Sequence, residues 1–434
     1  MGGTERTDGQ PRSPLTTGFH RLDLEARRRE ARDAFSLAEE EWESLSTTAP
    51  LRELADVMVE SAVGCIAVPL GIAAGFLVDG EELAIPMAVE EPSVIAAASY
   101  AARLVRRDGG FTTWATEPLM TAQVFLEGVT GEGEKRLASC GPKVREALAV
   151  PLSSLRNRGG GYRELRVSRL PSGAVRVDLV IDVRDAMGAN RLNAAAERAR
   201  PILEQESGGR SLLAVLTNAA EERRAGARFS VAVDRLGVRL PVGMSAEEAA
   251  RRIVAASRIA EEDPSRAVTH NKGIMNGISS LALATLNDTR AIEAAAHAWA
   301  ARGGSYRSLS RYTVREGALH GEIELPLAFA AAGGSVDFHP AGRASLAILG
   351  NPDARRLSRI AAALGLAQNF AALLALVTTG IQEGHMRYHA ARLAWRAGAR
   401  GPEVRRLARE LAAEGAMDIG TARALLERIR ERTP

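Results

Sequence analysis

"AVRVDLVIDVRDAMGANRLNAAAERARPILEQ", residues 174–205, changes its hydrophobic period once, and that change decides how the surrounding segment folds. Val175, Val177, Leu179, Ile181 and Val183 alternate with Arg176, Asp178, Val180, Asp182 and Arg184, the period of a strand that buries one face. The chain then runs on as a helix through "NRLNAAAERARPILEQ". In the turn between them, "DVRDAMGANRLN" (182–193), a glycine lets backbone N–H groups at the helix start approach an anion such as a pyrophosphate. Many strand-to-helix turns contain a glycine, so this signal is weak by itself. Outward from it lie an apolar run at "AQVFLEGV", a broken helical stretch ending near 156, a strand at "YRELRVSRL" and a last apolar run at "SLLAVLT". The order β-α-β-β-α-β over 115–218 predicts a ferredoxin-like unit.

The whole chain, 434 residues with 46% hydrophobic content, is long enough for two or three domains with buried cores. A net charge of +3 gives no general field for a polyanion, so nucleic acid is not an expected partner. Cys65 and Cys140 stand apart, with no CxxC and no histidine at ligand spacing. That argues against a metal site or disulfide framework and for a reducing, cytoplasmic setting. The start, "MGGTERTDGQPRSPLTTG", has no apolar core of a signal peptide and predicts a flexible arm. Residues 61–78, "SAVGCIAVPLGIAAGFLV", carry no charge, but Pro69 and three glycines interrupt any membrane helix. Buried strands and turns are expected there, and no membrane.

Flanking segments show ordinary helix and strand signals. "VEEPSVIAAASYAARLVRRDGG" places apolar residues at helical spacing between Pro92 and Gly109, with Glu90 and Glu91 beside the helix start, where carboxylates commonly serve as caps. Ser245 and Glu248 form a capping box ahead of a helix over 246–261, and "SRYTVREGALHGEIELP" reads as a hairpin. From about 354 the chain turns to alanine- and arginine-rich helices. Neither GxGxxG after a strand nor GxxxxGK[ST] is present, so a dinucleotide needs another mode.

"THNKGIMNG" (269–277) shows neither helical nor strand periodicity, and predicts a loop in which Lys272 is surrounded by Thr269, His270, Asn271 and Asn276. Its glycines, Gly273 and Gly277, would permit positive φ and close approach of a ligand. Site and solvated loop stand evenly on spacing alone.

Longer motifs carry more. "VEEPSVIAAASY" (89–100), "GGFTT" with "PLM" and "AQV" (109–124), "DVRDAMGAN" (182–190), "DPSRAVTHNKGIMNG" (263–277), "NDTRAIEAAAHA" (287–298), "HPAGRASLAILG" (339–350), "GLAQN" (365–369) and "GIQEGHMRYHA" (380–390) occur in one order. With them the chain resembles class II hydroxymethylglutaryl-CoA (HMG-CoA) reductase, the soluble bacterial form, over nearly its whole length. The resemblance implies an α+β protein: a discontinuous large α/β domain (1–114 and 219–380), an inserted ferredoxin-like nucleotide-binding domain (115–218) and a C-terminal helical flap (381–434). It also implies a homodimer or higher oligomer, because the family builds its site at a dimer interface.

The implied reaction interconverts HMG-CoA with mevalonate and CoA through two hydride transfers from NADPH or NADH, with no metal. Four residues would carry it: Glu91, Lys272, Asp288 and His385. A fixed ammonium suits the oxyanion formed at a thioester carbonyl. Imidazole, which titrates nearest neutrality, suits protonation of the departing thiolate. Glu91 would protonate the second alkoxide, and Asp288 would hold Lys272 and Glu91 in one hydrogen-bonded network. From the residues alone, Asp288 reads as a helix cap and His385 as a surface histidine. Arg266, Ser93, Asn218 and Asn271 would contact HMG or CoA, with Arg266 suited to take a carboxylate bidentately. Asp185, Met187, Gly188 and Asn190 would line the nicotinamide site, and the basic residues of the flap, Arg387 and Arg392 among them, would lie near CoA phosphates.

Departures from the family pattern fall at three places. The family's "ENVIG" is "ESAVG" here, with Ser61 for asparagine; Leu286 replaces a glycine before "ND"; and "VPLSSLRNRGGG" (150–161) has Leu152 where NADH-using members can carry an acid. With Arg156 and Arg158 close by, the expected coenzyme is NADPH rather than NADH, a guanidinium being the natural partner of a 2′-phosphate. Two other readings of the lysine remain: a Schiff-base lyase or aldolase, and a catalytically silent CoA- or nucleotide-binding protein.

Overall fold

The structure, a computed structural model, describes residues 22, 23, 25, 26, 29, 49–380, 390–415 and 418–431. His385, Arg387 and the expected N-terminal arm lie outside the described residues. Two units are distinct, Met1–Pro69 and Leu70–Pro434. The first contains α1 (Ala49–Met58), where Cys65 Sγ donates to the Leu51 carbonyl at 3.6 Å.

The second unit begins with an antiparallel pair, β1 (Leu70–Val78) and β2 (Glu81–Ala88). Ala73, Phe76 and Val78 are fully buried while Leu70 and Ile72 are about half exposed. The apolar stretch is therefore not buried throughout as its composition suggests; from Leu70 it is a strand with one covered face. Next comes α2 (Val94–Arg106), whose stop falls at Gly109 and Gly110, both at positive φ. At Gly110 a Cβ would lie 2.3 Å from the Leu77 carbonyl oxygen, so only glycine lets the chain return against β1.

After β3 (Thr112–Ala115) the chain enters a second sheet with β4 (Leu119–Glu127). Three short helices follow, α3 (Gly131–Ser139), α4 (Gly141–Ala147) and α5 (Ser153–Arg156), then β5 (Gly161–Arg169), β6 (Val175–Asp182), α6 (Ala189–Ser207) and β7 (Arg210–Leu216). The strands pair antiparallel in the order β5-β6-β4-β7. Val175, Val177, Leu179, Ile181 and Val183 are fully buried against Leu192, Ala195, Ala199 and Leu203 of α6, so the alternation in the opening stretch packs one sheet face on helices.

The chain then returns to a sheet ordered β3-β8-β10-β9, with β8 (Arg224–Ala232), β9 (Ser310–Arg315) and β10 (Ala318–Pro326). The β9–β10 hairpin turns on Glu316 and Gly317, both left-handed, the geometry a two-residue turn requires. Between β8 and β9 lie α7 (Ala246–Glu262), α8 (Pro264–Ala284) and α9 (Thr289–Ala300). Ser245 caps α7 by accepting from Glu248 N at 3.1 Å.

Beyond the hairpin, α10 (Ser335–Phe338) and α11 (Pro340–Ile348) lead into α12 (Ala354–Val377). This last helix is long and apolar enough to cross a membrane, but 78% of its apolar window is buried inside the protein, so it is a core helix. It crosses α8 closely: a Cβ on Gly277 would lie 3.2 Å from Gln368 Cβ, and one on Gly365 would lie 2.7 Å from Ile278 Cδ1. Helices α13 (Pro402–Glu414) and α14 (Ile419–Glu431), with residues 390–396, close a third apolar cluster around Leu407, Leu411 and Leu425.

Candidate active site

The lysine stretch is not a loop. Residues 269–277 lie inside α8, which starts at an Asp263 cap (accepting from Arg266 N at 2.8 Å) and Pro264. Gly273 and Gly277 are helical, and the positive φ expected for them does not occur. The helical period is hidden because two residues of the buried side are polar. Asn271 donates to the Arg307 carbonyl at 2.8 Å and accepts from Leu309 N at 2.9 Å, which satisfies it fully inside the protein. His270 is 2% exposed, with Nε2 2.7 Å from Ser310 Oγ and 3.1 Å from Asn369 Nδ2. Burial first, and then the positive charge of Arg266, pushes its imidazole down to about 3, so the ring is neutral near pH 7.

Lys272, on the exposed side, places Nζ 2.9 Å from Glu91 Oε2. The two side chains are 61% and 36% exposed, a setting in which an ion pair adds little stability. They sit at the edge of a cavity of about 380 Å³ between α2, α8 and α12. Arg266 lines this cavity, and its guanidinium has no hydrogen-bond or ion-pair partner among the described residues.

Three other lining residues have buried polar atoms with no partner among the described residues: Ser93 Oγ, His270 Nδ1 and Gln368 Oε1. Ser93 also holds the left-handed region at φ 76° as the N-cap of α2, with no side-chain cap bond. A strained serine and unpartnered polar atoms around one cavity are the marks of a polar ligand site.

Among the residues expected from sequence, Glu91, Ser93, Arg266 and Lys272 meet here. Asn271 does not; it pins the 307–309 segment to α8. Asn276, one helical turn beyond Lys272, lines the cavity in its place, as does Gln368 of α12. The stretch offered Asn276 only as a neighbour of the lysine, and Gln368 stood in the quoted motif "GLAQN" (365–369) with no role assigned to it. Asp288 caps α9, accepting from Ala291 N at 3.0 Å, and has no hydrogen bond to Lys272 or Glu91 among the described residues. Asn218 is exposed beyond the end of β7 and does not line the cavity.

The other expected group surrounds the start of α6. Gly188 is its N-cap at φ 86°, where a Cβ would lie 2.5 Å from Val183 Cγ1. No side chain caps the helix and its first turn carries no acid. Asp185 is committed elsewhere: its carboxylate accepts from Ala354 N at 3.0 Å and its carbonyl from Ala331 N at 2.8 Å. Met187 lies in the same turn, half-buried, and Asn190 is exposed in the first turn of α6. Arg191 donates to the Pro151 carbonyl at 3.2 Å, and Arg184 donates to the Gly159 carbonyl. These bonds hold the loop bearing Arg156 and Arg158, both exposed, against the β6–α6 turn. Leu152 is 1% exposed in the core, so an acid at that position would not face a ligand. The arginines, not the missing acid, carry the coenzyme argument.

Arg392 has a partner other than a CoA phosphate: its guanidinium donates to the Glu90 carbonyl at 3.2 Å, joining the C-terminal helices to the turn that carries Glu91. The departures from the family pattern also find an account. Ser61 (φ 60°) and Leu286 (φ 54°) both adopt the left-handed region that asparagine and glycine favour. The Leu286 side chain packs beside Gly342, where a Cβ would be 3.4 Å away. Among the described residues, no group of three or more histidines, cysteines or acids is placed to hold a metal.

A partly exposed lysine–carboxylate pair and a guanidinium without a partner among the described residues, set at one cavity, suit the binding of an anionic ligand. The family pattern described as hydroxymethylglutaryl-coenzyme A reductase matches residues 23–390, and the chain belongs to that family. It is 43% identical to 3-hydroxy-3-methylglutaryl-coenzyme A reductase of Archaeoglobus fulgidus over 95% of this chain and 94% of the relative. A probable reductase of Borreliella burgdorferi is 37% identical over 76% of each chain. Among solved structures, the reductase from Streptococcus pneumoniae superposes with a TM-score of 0.73 at 39% identity, covering 95% of this chain and 99% of the other. A second structure from that organism, described as the class II enzyme bound to NADPH in open conformations, has the same TM-score and identity over 94% and 100%.

Proposed function

We propose that this chain reduces HMG-CoA to mevalonate and CoA, or runs the reverse, in mevalonate metabolism. The observation that carries the reading is the Lys272–Glu91 pair at 2.9 Å, beside a cavity lined by Arg266, whose guanidinium has no partner among the described residues. Arg266 takes the substrate carboxylate, with Ser93 Oγ and Asn276 beside it. The Lys272 ammonium faces the thioester oxygen and stabilises the oxyanion. In its protonated form Glu91 delivers a proton to the second alkoxide and is left as the carboxylate that pairs with Lys272. By resemblance, His385 protonates the leaving thiolate from the C-terminal helical flap. Asp288 caps α9 away from this cavity in its own chain, and the family's dimer interface supports a site that a second copy completes.

The coenzyme supplies hydride when bound. The residues present fit it: the capless start of α6 offers first-turn N–H groups to a pyrophosphate, and Arg156 and Arg158 offer guanidinium groups to a 2′-phosphate. The NADPH held by the pneumococcal relative supports NADPH here. We read the architecture as a ferredoxin-like domain (115–218) inserted in a discontinuous large domain (1–114 and 219–380), with a C-terminal flap (381–434), in a cytoplasmic protein. The strand order β5-β6-β4-β7 and the separate apolar clusters support that reading. The Schiff-base alternative fits less well, because a carboxylate 2.9 Å away suits an ammonium, not an amine nucleophile.

The test follows nicotinamide absorbance with HMG-CoA and NADPH or NADH in separate runs. About two coenzymes oxidised per CoA released is the expected stoichiometry of the double reduction. Folded protein that oxidises neither coenzyme would overturn the reading.

A further inference from the structure

The turn at 185–188, where the coenzyme is expected, is fastened from behind by Arg223, and what that residue does for catalysis rests on the reductase reading above. Arg223 directly precedes β8 and is 4% exposed. Its backbone is fixed on both sides: the N–H donates to the Ala220 carbonyl at 2.9 Å, and the carbonyl accepts from Leu327 N at 2.9 Å. From there the guanidinium donates to the Ala186 carbonyl at 2.9 Å and to the Phe329 carbonyl. Burying a cation costs free energy that a carboxylate partner commonly offsets. Here both hydrogen-bond partners among the described residues are backbone carbonyls. Burial pushes the guanidinium down to about 10, against the opposing charges of Asp185 and Asp182, so it stays a cation near pH 7.

The two carbonyls belong to segments that other bonds also join. The Asp185 carbonyl accepts from Ala331 N at 2.8 Å and from Ala332 N at 3.2 Å. Between these contacts Asn287 clasps Ala330, its Nδ2 donating to the carbonyl at 3.1 Å and its Oδ1 accepting from the N–H at 2.6 Å. Asn287 is the residue before Asp288. Residues 329–332 are therefore a brace with two loads. Phe329, Ala331 and Ala332 hold the coenzyme turn, and Ala330 holds the turn of Asp288. Neighbouring residues are about 3.8 Å apart along a chain, so turns distant in sequence are kept in fixed register.

We propose that Arg223 is a positioning residue for hydride transfer: it seats the coenzyme turn on this brace and keeps the turn in register with Asp288. It does so through backbone, touching neither coenzyme nor substrate. The task suits a guanidinium, whose rigid fork reaches two carbonyls on separate segments, and suits an ammonium less well. Removing the fork leaves the Ala186 and Phe329 carbonyls without this donor and frees the turn. The HMG-CoA cavity, lined from α2, α8 and α12, does not include Arg223.

The experiment compares wild type, Arg223→Lys and Arg223→Met by separate dissociation constants for NADPH and HMG-CoA, and by the rate of the first hydride transfer in a single turnover with both ligands saturating. Arg223→Met should weaken NADPH by about tenfold, leave HMG-CoA unchanged and slow hydride transfer by about tenfold to a hundredfold. Arg223→Lys should fall between. A merely structural residue would lower the Tm and the amplitude of the turnover without changing its rate, or would weaken both ligands alike; either result overturns the proposal. Should the variants fail to fold, hydrogen exchange of wild type decides. NADPH should slow the amides of 185–188 and of Ala331 and Ala332 together, and protection of 185–188 alone would overturn the brace. Normal hydride transfer in Arg223→Met defeats this inference alone, whereas wild type that binds both ligands and oxidises no NADPH defeats the reductase reading and this proposal with it.

Discussion

Lys272 and Glu91, 181 positions apart, meet at 2.9 Å where the helix α8 passes the turn before α2. Lys272→Ala removes the cation proposed for the oxyanion and should lower kcat by about 10²–10³-fold or more. Glu91→Gln should lower kcat with little change in the KM for HMG-CoA. Both should leave the Tm nearly unchanged, since an exposed pair is worth about 0–1 kcal/mol. Steady-state kinetics with thermal melts checks this; intact turnover in Lys272→Ala would sink the mechanism.

The Arg266 guanidinium has no partner among the described residues, and its backbone N–H donates to the Asp263 cap. Because only the side chain faces the cavity, Arg266→Ala should raise the KM for HMG-CoA by about tenfold to a thousandfold with a smaller loss in kcat, and Arg266→Lys should recover only part, lacking the bidentate fork. An unchanged KM would move the carboxylate elsewhere.

Asp288 separates capping from chemistry. Asparagine caps a helix about as well as aspartate, so Asp288→Asn should preserve the Tm, while Asp288→Ala should cost about 1 kcal/mol. If a second copy brings this carboxylate to the site, both variants lose kcat. Full activity in Asp288→Asn would confine the residue to its cap.

Arg156→Ala and Arg158→Ala should raise the KM for NADPH and leave that for NADH nearly unchanged, because only NADPH carries the 2′-phosphate. Equal effects on both coenzymes would place the arginines against the shared part of the dinucleotide.

His270 is neutral in the folded protein, with its imidazole pushed down to about 3 by burial, whereas an unfolded histidine titrates near 6.5. Below the unfolded value the unfolded chain binds a proton that the native chain does not, so stability falls as pH drops from about 6.5 toward 3, by up to about 1.4 kcal/mol per pH unit. Urea unfolding of wild type and His270→Asn across this range should show a shallower slope in the variant, and parallel slopes would assign the acid sensitivity to other groups.

What the sequence determined by itself was whatever follows from a regular period or a local rule. The alternation at 175–183 gave a strand with one buried face, Gly109 and Gly110 stopped a helix, and Ser245 with Glu248 started another; each depends on neighbours within a turn or two of chain. Its long motifs also sufficed to bring the family into view. Tertiary structure alone decided the rest. Polar His270 and Asn271 obscure the period of α8, and only Ser310, Asn369 and the 307–309 backbone, supplied from distant segments, make their burial tolerable. The same holds for Gln368 at the cavity, for Leu152 in the core and for Asp288 on its cap. Whether a polar side chain faces a ligand, a backbone or solvent depends on what the fold sets opposite it, and one strand of letters does not carry that partner.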